Sequence, residues 1–129
     1  MTKKILLVDD EPSMVQLVRR RLEEEGYQVV IAVDGQEAVD KARTERPDLI
    51  VLDVMLPKLM GFSVCARLKT DPQYARIPII LLTAKSQTKD EELGRTAGAD
   101  AYIRKPFESK ELLAAIARLL APGPSPGTP

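Results

Sequence analysis

The stretch Asp48-Leu49-Ile50-Val51-Leu52-Asp53-Val54-Met55-Leu56-Pro57 decides the fold. Its apolar run is too short for a typical helix and contains β-branched residues. Continuous rather than alternating apolarity fits a strand covered on both faces, as in a parallel sheet flanked by helices. Asp53 interrupts that run near its far end, and Pro57 closes it. Open α/β sheets carry their chemistry at the carboxyl ends of central strands. A charge buried there without a partner is costly, or shifts its pKa, so Asp53 needs a reason to be present.

On both sides of this stretch, strand and helix patterns alternate. Ile5-Leu6-Leu7-Val8 reads as a buried strand stopped by Asp9-Asp10-Glu11, and Pro12 suits the first turn of a helix. Met14, Val18 and Leu22 recur at helical spacing, with Gly26 as the stop. Gln28 to Ala32 is a second strand. Asp34-Gly35 marks a turn and N-cap before a helix to about Glu45, with Ala38 and Ala42 inward. A third helix, residues 61–69, carries Phe62, Cys65 and Leu68. A fourth strand, residues 78–82, ends at Thr83-Ala84. Residues 88–97 predict a helix whose only large apolar residue is Leu93, which suits an element of low stability, and Gly98 stops it. Ala101-Tyr102-Ile103 is a short fifth strand. Lys105-Pro106 leads into a last helix bearing Leu112, Leu113, Ile116, Leu119 and Leu120. Five strand–helix alternations call for a parallel sheet with right-handed crossovers, an α/β doubly wound fold in one domain over residues 1–120. Residues 121–129 are rich in Pro and Gly, have no apolar periodicity, and read as a linker or disordered tail. That composition suits a chain continuing past Pro129 as well as a stand-alone domain with a frayed end.

Composition removes several function classes. Of 129 residues, 19 are Lys or Arg and 19 Asp or Glu, so no basic surface is implied and nucleic-acid binding by this segment is not expected. With no His and only Cys65, zinc, haem and histidine acid–base sites are excluded, as is an internal disulfide. A reducing, cytoplasmic setting follows by default, and no apolar run approaches membrane-spanning length. Cys65 reads as helical packing, and Arg19-Arg20-Arg21 as a solvated face, with a kinase contact as the sharper alternative.

Asp9 and Asp10 follow the first strand and Asp53 ends the third. Where those strands are neighbours, three acids crowd one crevice and repel unless a cation joins them. Oxygen-only ligands favour a hard ion, Mg2+ above all. Thr83 offers a hydroxyl over the same rim and Lys105 an ammonium, which together equip the site to hold a phosphoryl group. No glycine-rich nucleotide loop and no general base are present, so that group would end on the protein itself, on a carboxylate. Taken singly, each residue has a plainer reading: Asp9 as a helix cap, Thr83 as a strand-end hydroxyl, Lys105 as a solvated lysine, Pro106 as a helix-start proline, Tyr102 as core packing. Only the set points to chemistry.

The chain resembles the receiver (CheY-like) domain of two-component response regulators over residues 3 to 120. The matching residues are Leu7-Val8-Asp9-Asp10-Glu11, Asp53 with Pro57 and Gly61, Thr83-Ala84, Gly98-Ala99-Asp100, Tyr102 and Lys105-Pro106-Phe107. The resemblance implies a five-stranded sheet of order 2-1-3-4-5 flanked by five helices, flavodoxin-like. It implies Asp53 as phosphoacceptor, supplied by a sensor histidine kinase or phosphotransfer protein. It also implies Mg2+ held by Asp10, Asp53 and the Met55 backbone carbonyl, with Asp9 acting through water. Lys105 would pair with Asp53 and then with the phosphoryl oxygens, Thr83 would move to bond them, and Tyr102 would follow it inward. A cis peptide bond would join Lys105 to Pro106. Enzymatic action would be confined to phosphorylation and autodephosphorylation at Asp53. The Thr83/Tyr102 face, made by the fourth helix, fifth strand and fifth helix, would control a downstream effector or a fused output domain.

Two alternatives stand beside that reading: a phosphate-independent interaction module of the same fold, and the N-terminal regulatory half of a DNA-binding response regulator. Dimers of the OmpR type use the face just named. Here Ala101 and Ala115 replace one customary ion pair, Glu91 stands where a basic partner for Glu111 is usual, and Arg95 enters an apolar patch. These substitutions disfavour that dimer and favour a stand-alone receiver or a different output.

Overall fold

In the computed structural model, which describes residues 2–56, 60–84 and 97–121, one parallel sheet carries the molecule. Its strands are β1 (Lys4–Val8), β2 (Gln28–Ala32), β3 (Leu49–Asp53), β4 (Ile79–Ala84) and β5 (Ala101–Lys105), in the order β2-β1-β3-β4-β5. Between and after them run α1 (Pro12–Glu24), α2 (Gly35–Glu45), α3 (Gly61–Lys69) and α4 (Ser109–Leu120). The helix expected over residues 88–97 falls almost wholly outside the described residues, as do Pro57 and the tail from residue 122.

β3 lies at the centre, paired with β1 and β4, and all five of its residues are buried. Alternate strand residues feed two apolar layers. Leu6, Ile50, Leu52 and Leu81 face α2 and α3, meeting Ala38, Val39, Val64 and Leu68. Leu7, Val51, Ile80 and Leu82 face α1 and α4, meeting Val15, Val18, Leu112 and Ile116. The unbroken apolarity of β3 is thus the mark of a strand whose two faces are both roofed by helices. Among the described residues no helix is long and apolar enough to cross a membrane.

Local signals place the elements. Pro12 occupies the first turn of α1, and Gly26, at φ +92°, turns the chain out of it. The Asp34 carboxylate caps α2 by accepting from the Glu37 N–H at 2.8 Å. The inward stripe of α1 is centred on Val15, Val18 and Leu22, one residue round from the expected Met14, which is only half-buried. The fifth strand runs two residues beyond expectation, to Lys105. The polar pair Arg104-Lys105 hides its end, because an edge strand at the sheet's rim needs no apolar side chains there.

Candidate functional site

The parallel register puts the ends of β1, β3, β4 and β5 on one rim. Val8 pairs with Leu52, Asp53 with Leu82, and Ala84 with Lys105. Asp9 is the first residue after β1. Its N–H donates to the Ala32 carbonyl at 3.1 Å, so the backbone continues the ladder while the side chain turns into the crevice. There Asp9 is fully buried, with Oδ1 accepting from the Glu11 N–H at 3.0 Å. Asp10 is exposed beside it. Asp53 retains only 6% of its exposure, and its Oδ1 accepts from the Met55 N–H at 3.2 Å.

Lys105 reaches across from β5. Its Nζ lies 3.2 Å from Asp53 Oδ2 and 3.3 Å from Asp9 Oδ2, so one ammonium bridges two buried carboxylates. The peptide bond between Lys105 and Pro106 is cis, as the resemblance implies. Carboxylate oxygens of Asp9, Asp10 and Asp53 all lie within 4.8 Å of one another, a spacing a single cation spans. A donor set made of carboxylate oxygen alone fits a hard divalent ion with retained waters.

The electrostatics are strained in one direction. Burial pushes the Asp53 carboxyl above its ordinary value of 3.8; Lys105 opposes this and Asp9 reinforces it. For Lys105, burial works to lower the ammonium pKa, but the attraction of Asp53 and then Asp9 outweighs it, so the net shift is upward. Among the described residues, the Lys105 ammonium meets two of the three acids, Asp9 and Asp53.

The remaining expected residues fall nearby. Thr83, at 1% exposure, follows the Leu82 that pairs with Asp53 and so sits on the same rim. Tyr102 is half-buried on β5, packed against the layer that holds Leu81 and Ala97. Met55, whose N–H donates to Asp53, is 63% exposed. One residue quoted for the resemblance proves to have a physical duty there. A Cβ on Gly61 would run into the Asp53 carbonyl and the Val54 Cα, and the Gly61 N–H donates to Val54 O at 3.0 Å. Only a glycine lets the start of α3 sit on the backbone of Asp53. A glycine opening a helix just after an acid-bearing strand was the available signal.

The family profile described as the response regulator receiver domain matches residues 5–117. The chain belongs to this family. As a receiver domain it is 52% identical over 120 residues to the alkaline phosphatase synthesis transcriptional regulatory protein PhoP of Bacillus subtilis, covering 93% of this chain and 49% of that protein. It is 47% identical over 117 residues to the DNA-binding dual master transcriptional regulator RpaA of Synechocystis, covering 91% and 48%. The receiver therefore spans about half the length of these curated relatives. Among solved structures it resembles the chemotaxis response regulator CheY4 of Vibrio cholerae (TM-score 0.87, 36% identity, 93% of this chain and 100% of that one). It also resembles the receiver domain of sensor histidine kinase PA1611 of Pseudomonas aeruginosa, solved with a magnesium ion coordinated in its active-site cleft (TM-score 0.86, 35% identity, 93% and 98%). The strand order and the placement of the acids at its rim agree with a receiver domain of two-component signalling.

Proposed function

We propose that this receiver domain accepts a phosphoryl group on Asp53 from a sensor histidine kinase or phosphotransfer protein, with Mg2+ held by Asp9, Asp10, Asp53 and the Met55 carbonyl. One observation carries the reading: Asp53 is nearly buried at the end of the central strand, between a backbone N–H and an ammonium, within one cation's reach of two further acids. An Asp53 oxygen forms the new bond to phosphorus as the donor's phosphorus–nitrogen bond breaks. Mg2+, when bound, supplies the charge neutralisation that lets an anionic phosphoryl group approach anionic carboxylates. Lys105, 3.2 Å from Asp53, pairs with the incoming oxygens, and its raised pKa keeps it charged. Burial excludes bulk water from the Asp53 side chain and slows hydrolysis of the acyl phosphate, which returns the free carboxylate. The domain performs no chemistry on other substrates.

The Thr83 hydroxyl and Tyr102 ring form the outgoing side of this device. A phosphoryl group at Asp53 draws the hydroxyl as a hydrogen-bond donor, and the half-buried ring takes the vacated space. The face around Tyr102 then differs for a downstream effector or attached output. The receiver ends at residue 120 in this reading, with 121–129 as linker, in a cytoplasmic protein.

The coverage of relatives favours a second reading of the output. Since this chain matches about half of two transcriptional regulators, one of them named as DNA-binding, it serves as the regulatory half of such a protein. The half-buried Ala101 and Ala115 still leave the OmpR-type dimer without one of its usual ion pairs; Glu91 and Arg95 lie outside the described residues.

Incubation with acetyl phosphate and Mg2+ followed by intact mass tests the central reading. A single phosphate adduct is expected, absent without Mg2+ and abolished in Asp53→Asn. An unmodified protein under those conditions would leave the phosphate-independent module as the function.

A further inference from the structure

Far from the acid cluster, at the opposite end of β5, a second lysine is half-buried and fully used. Lys69, the last residue of α3, keeps 14% of its side-chain exposure. Its ammonium lies 2.7 Å from Asp100 Oδ2 and donates to the carbonyls of Ala75 at 3.1 Å and Ile77 at 2.8 Å, one acceptor for each of its hydrogens. Asp100 is held in turn by β4: its carboxylate accepts from the Ile79 N–H at 2.8 Å, and its own N–H donates to Ile79 O at 2.9 Å. The turn into β5 rests on the same helix. Gly98, at φ +89°, passes so close that a Cβ would lie 3.2 Å from Lys69 Cγ, and the Cys65 thiol donates to Ala97 O at 3.5 Å.

β5 is an edge strand, laddered to β4 alone, and it carries Lys105 at its far end, roughly 16 Å from Asp100 at the rise of an extended chain. In a strand a slip of one residue moves every side chain to the opposite face. An edge strand with one ladder resists that slip less than a central one. The opposite end of α3 begins at Gly61, on the backbone of Asp53. One helix thus touches the acid at its first residue and the root of the lysine-bearing strand at its last.

We propose that Lys69 and Asp100 are a positioning pair for phosphoryl transfer: by locking the root of β5 to α3 they set the register that brings Lys105 to Asp53. The inference rests on Asp53 being the phosphoacceptor. The pair touches no reacting atom and acts through Lys105.

The test is a cycle of variants in the full chain: Lys69→Met, Lys105→Met and both together, with phosphoryl uptake from acetyl phosphate and Mg2+ timed by intact mass well below each variant's melting temperature. Lys69→Met slows uptake about tenfold when Lys105 is present, the order of effect a small misplacement of a charged group produces. In the Lys105→Met background the same change alters the rate by less than about twofold, because the group being positioned is gone. Equal slowing in both backgrounds, or an unchanged rate with only the melting temperature lowered, overturns the proposal and leaves the pair a stability element. Should Lys69→Met lack a cooperative melt, Asp100→Asn carries the same cycle, since its amide oxygen still accepts from Ile79. An unaltered protein that takes up no phosphate overturns the phosphoacceptor reading and this inference with it; uptake without coupling overturns this inference alone.

Discussion

Two lysines sit in this sheet's two ends under opposite accounting. At the amino end, Lys69 meets one carboxylate and two carbonyls, and every donor has its acceptor. At the carboxyl end, Lys105 is shared by Asp9 and Asp53, with Asp10 alongside, so acids outnumber the ammonium. The first arrangement is closed: each hydrogen of its ammonium has an acceptor, so its part in the chemistry is to position rather than to bind. The second is open, because among the described residues its carboxylates outnumber the ammonium groups that meet them, an excess that a cation would neutralise. The two sites also differ in depth: Asp9 and Asp53 are buried, whereas Asp100 is exposed beside a half-buried Lys69.

Replacing each lysine by methionine is the most direct way to break that contrast. Lys69→Met leaves the Ala75 and Ile77 carbonyls without their donor and Asp100 with only the Ile79 N–H, and about 2–3 kcal/mol of stability is expected to go, mostly from the carbonyls because Asp100 is exposed. Added Mg2+ restores none of it. Lys105→Met is milder in metal-free solution, about 1–2 kcal/mol, since Asp53 can relieve the repulsion by taking a proton. There Mg2+ raises the melting temperature by more than it does in the unaltered protein, as an ammonium no longer competes for the same carboxylates. Thermal melts with and without Mg2+ read both; equal Mg2+ responses in the two variants would erase the distinction.

Between these losses lies the helix that connects the two ends. Gly61→Ala drives a methyl into the Asp53 carbonyl, and the start of α3 must lift from the loop. An expected cost of about 2 kcal/mol follows from overpacking against backbone that cannot yield. Because the shift falls on the Met55 N–H contact to Asp53, phosphoryl uptake should fall as well. A stable Gly61→Ala protein with unchanged uptake would show that this close approach does not position the acid.

Much of this was legible from residue order. The apolar run of β3, the Asp34 cap and the glycine at 26 announce a strand centre and helix ends by local physics, and the structure has them where expected. The acids and Lys105 were legible as a set because charge at the end of a buried strand has few bland explanations. Less visible was α1's true inward stripe, because Met14 and Val15 both fit helical spacing with Val18 and Leu22, and only packing chooses Val15. The Lys69–Asp100 lock was invisible, since a lysine ending a helix and an aspartate in a turn are each ordinary, and only tertiary structure brings positions 69 and 100 to 2.7 Å.

The smallest effect expected is also the sharpest test of the open site. Asp53 has a carboxyl whose pKa is raised by burial, so folding favours its protonated form. A group of this kind contributes stability below its unfolded value, near 3.8, and loses that contribution as pH rises through the folded value. At neutral pH the ionised Asp53 is therefore a net cost to the metal-free fold, offset in part by Lys105. Asp53→Asn removes that cost along with the chemistry, and should gain about 1 kcal/mol in metal-free buffer near pH 7. The gain must shrink as pH falls through the raised carboxyl pKa, because the unaltered protein then sheds the charge by itself. Saturating Mg2+ should reverse the ranking, since only the carboxylate completes the acid set. Denaturant melts of both proteins across pH 4 to 7 decide it, and an asparagine variant less stable than the unaltered protein at neutral pH without metal would mean that Lys105 already balances the site.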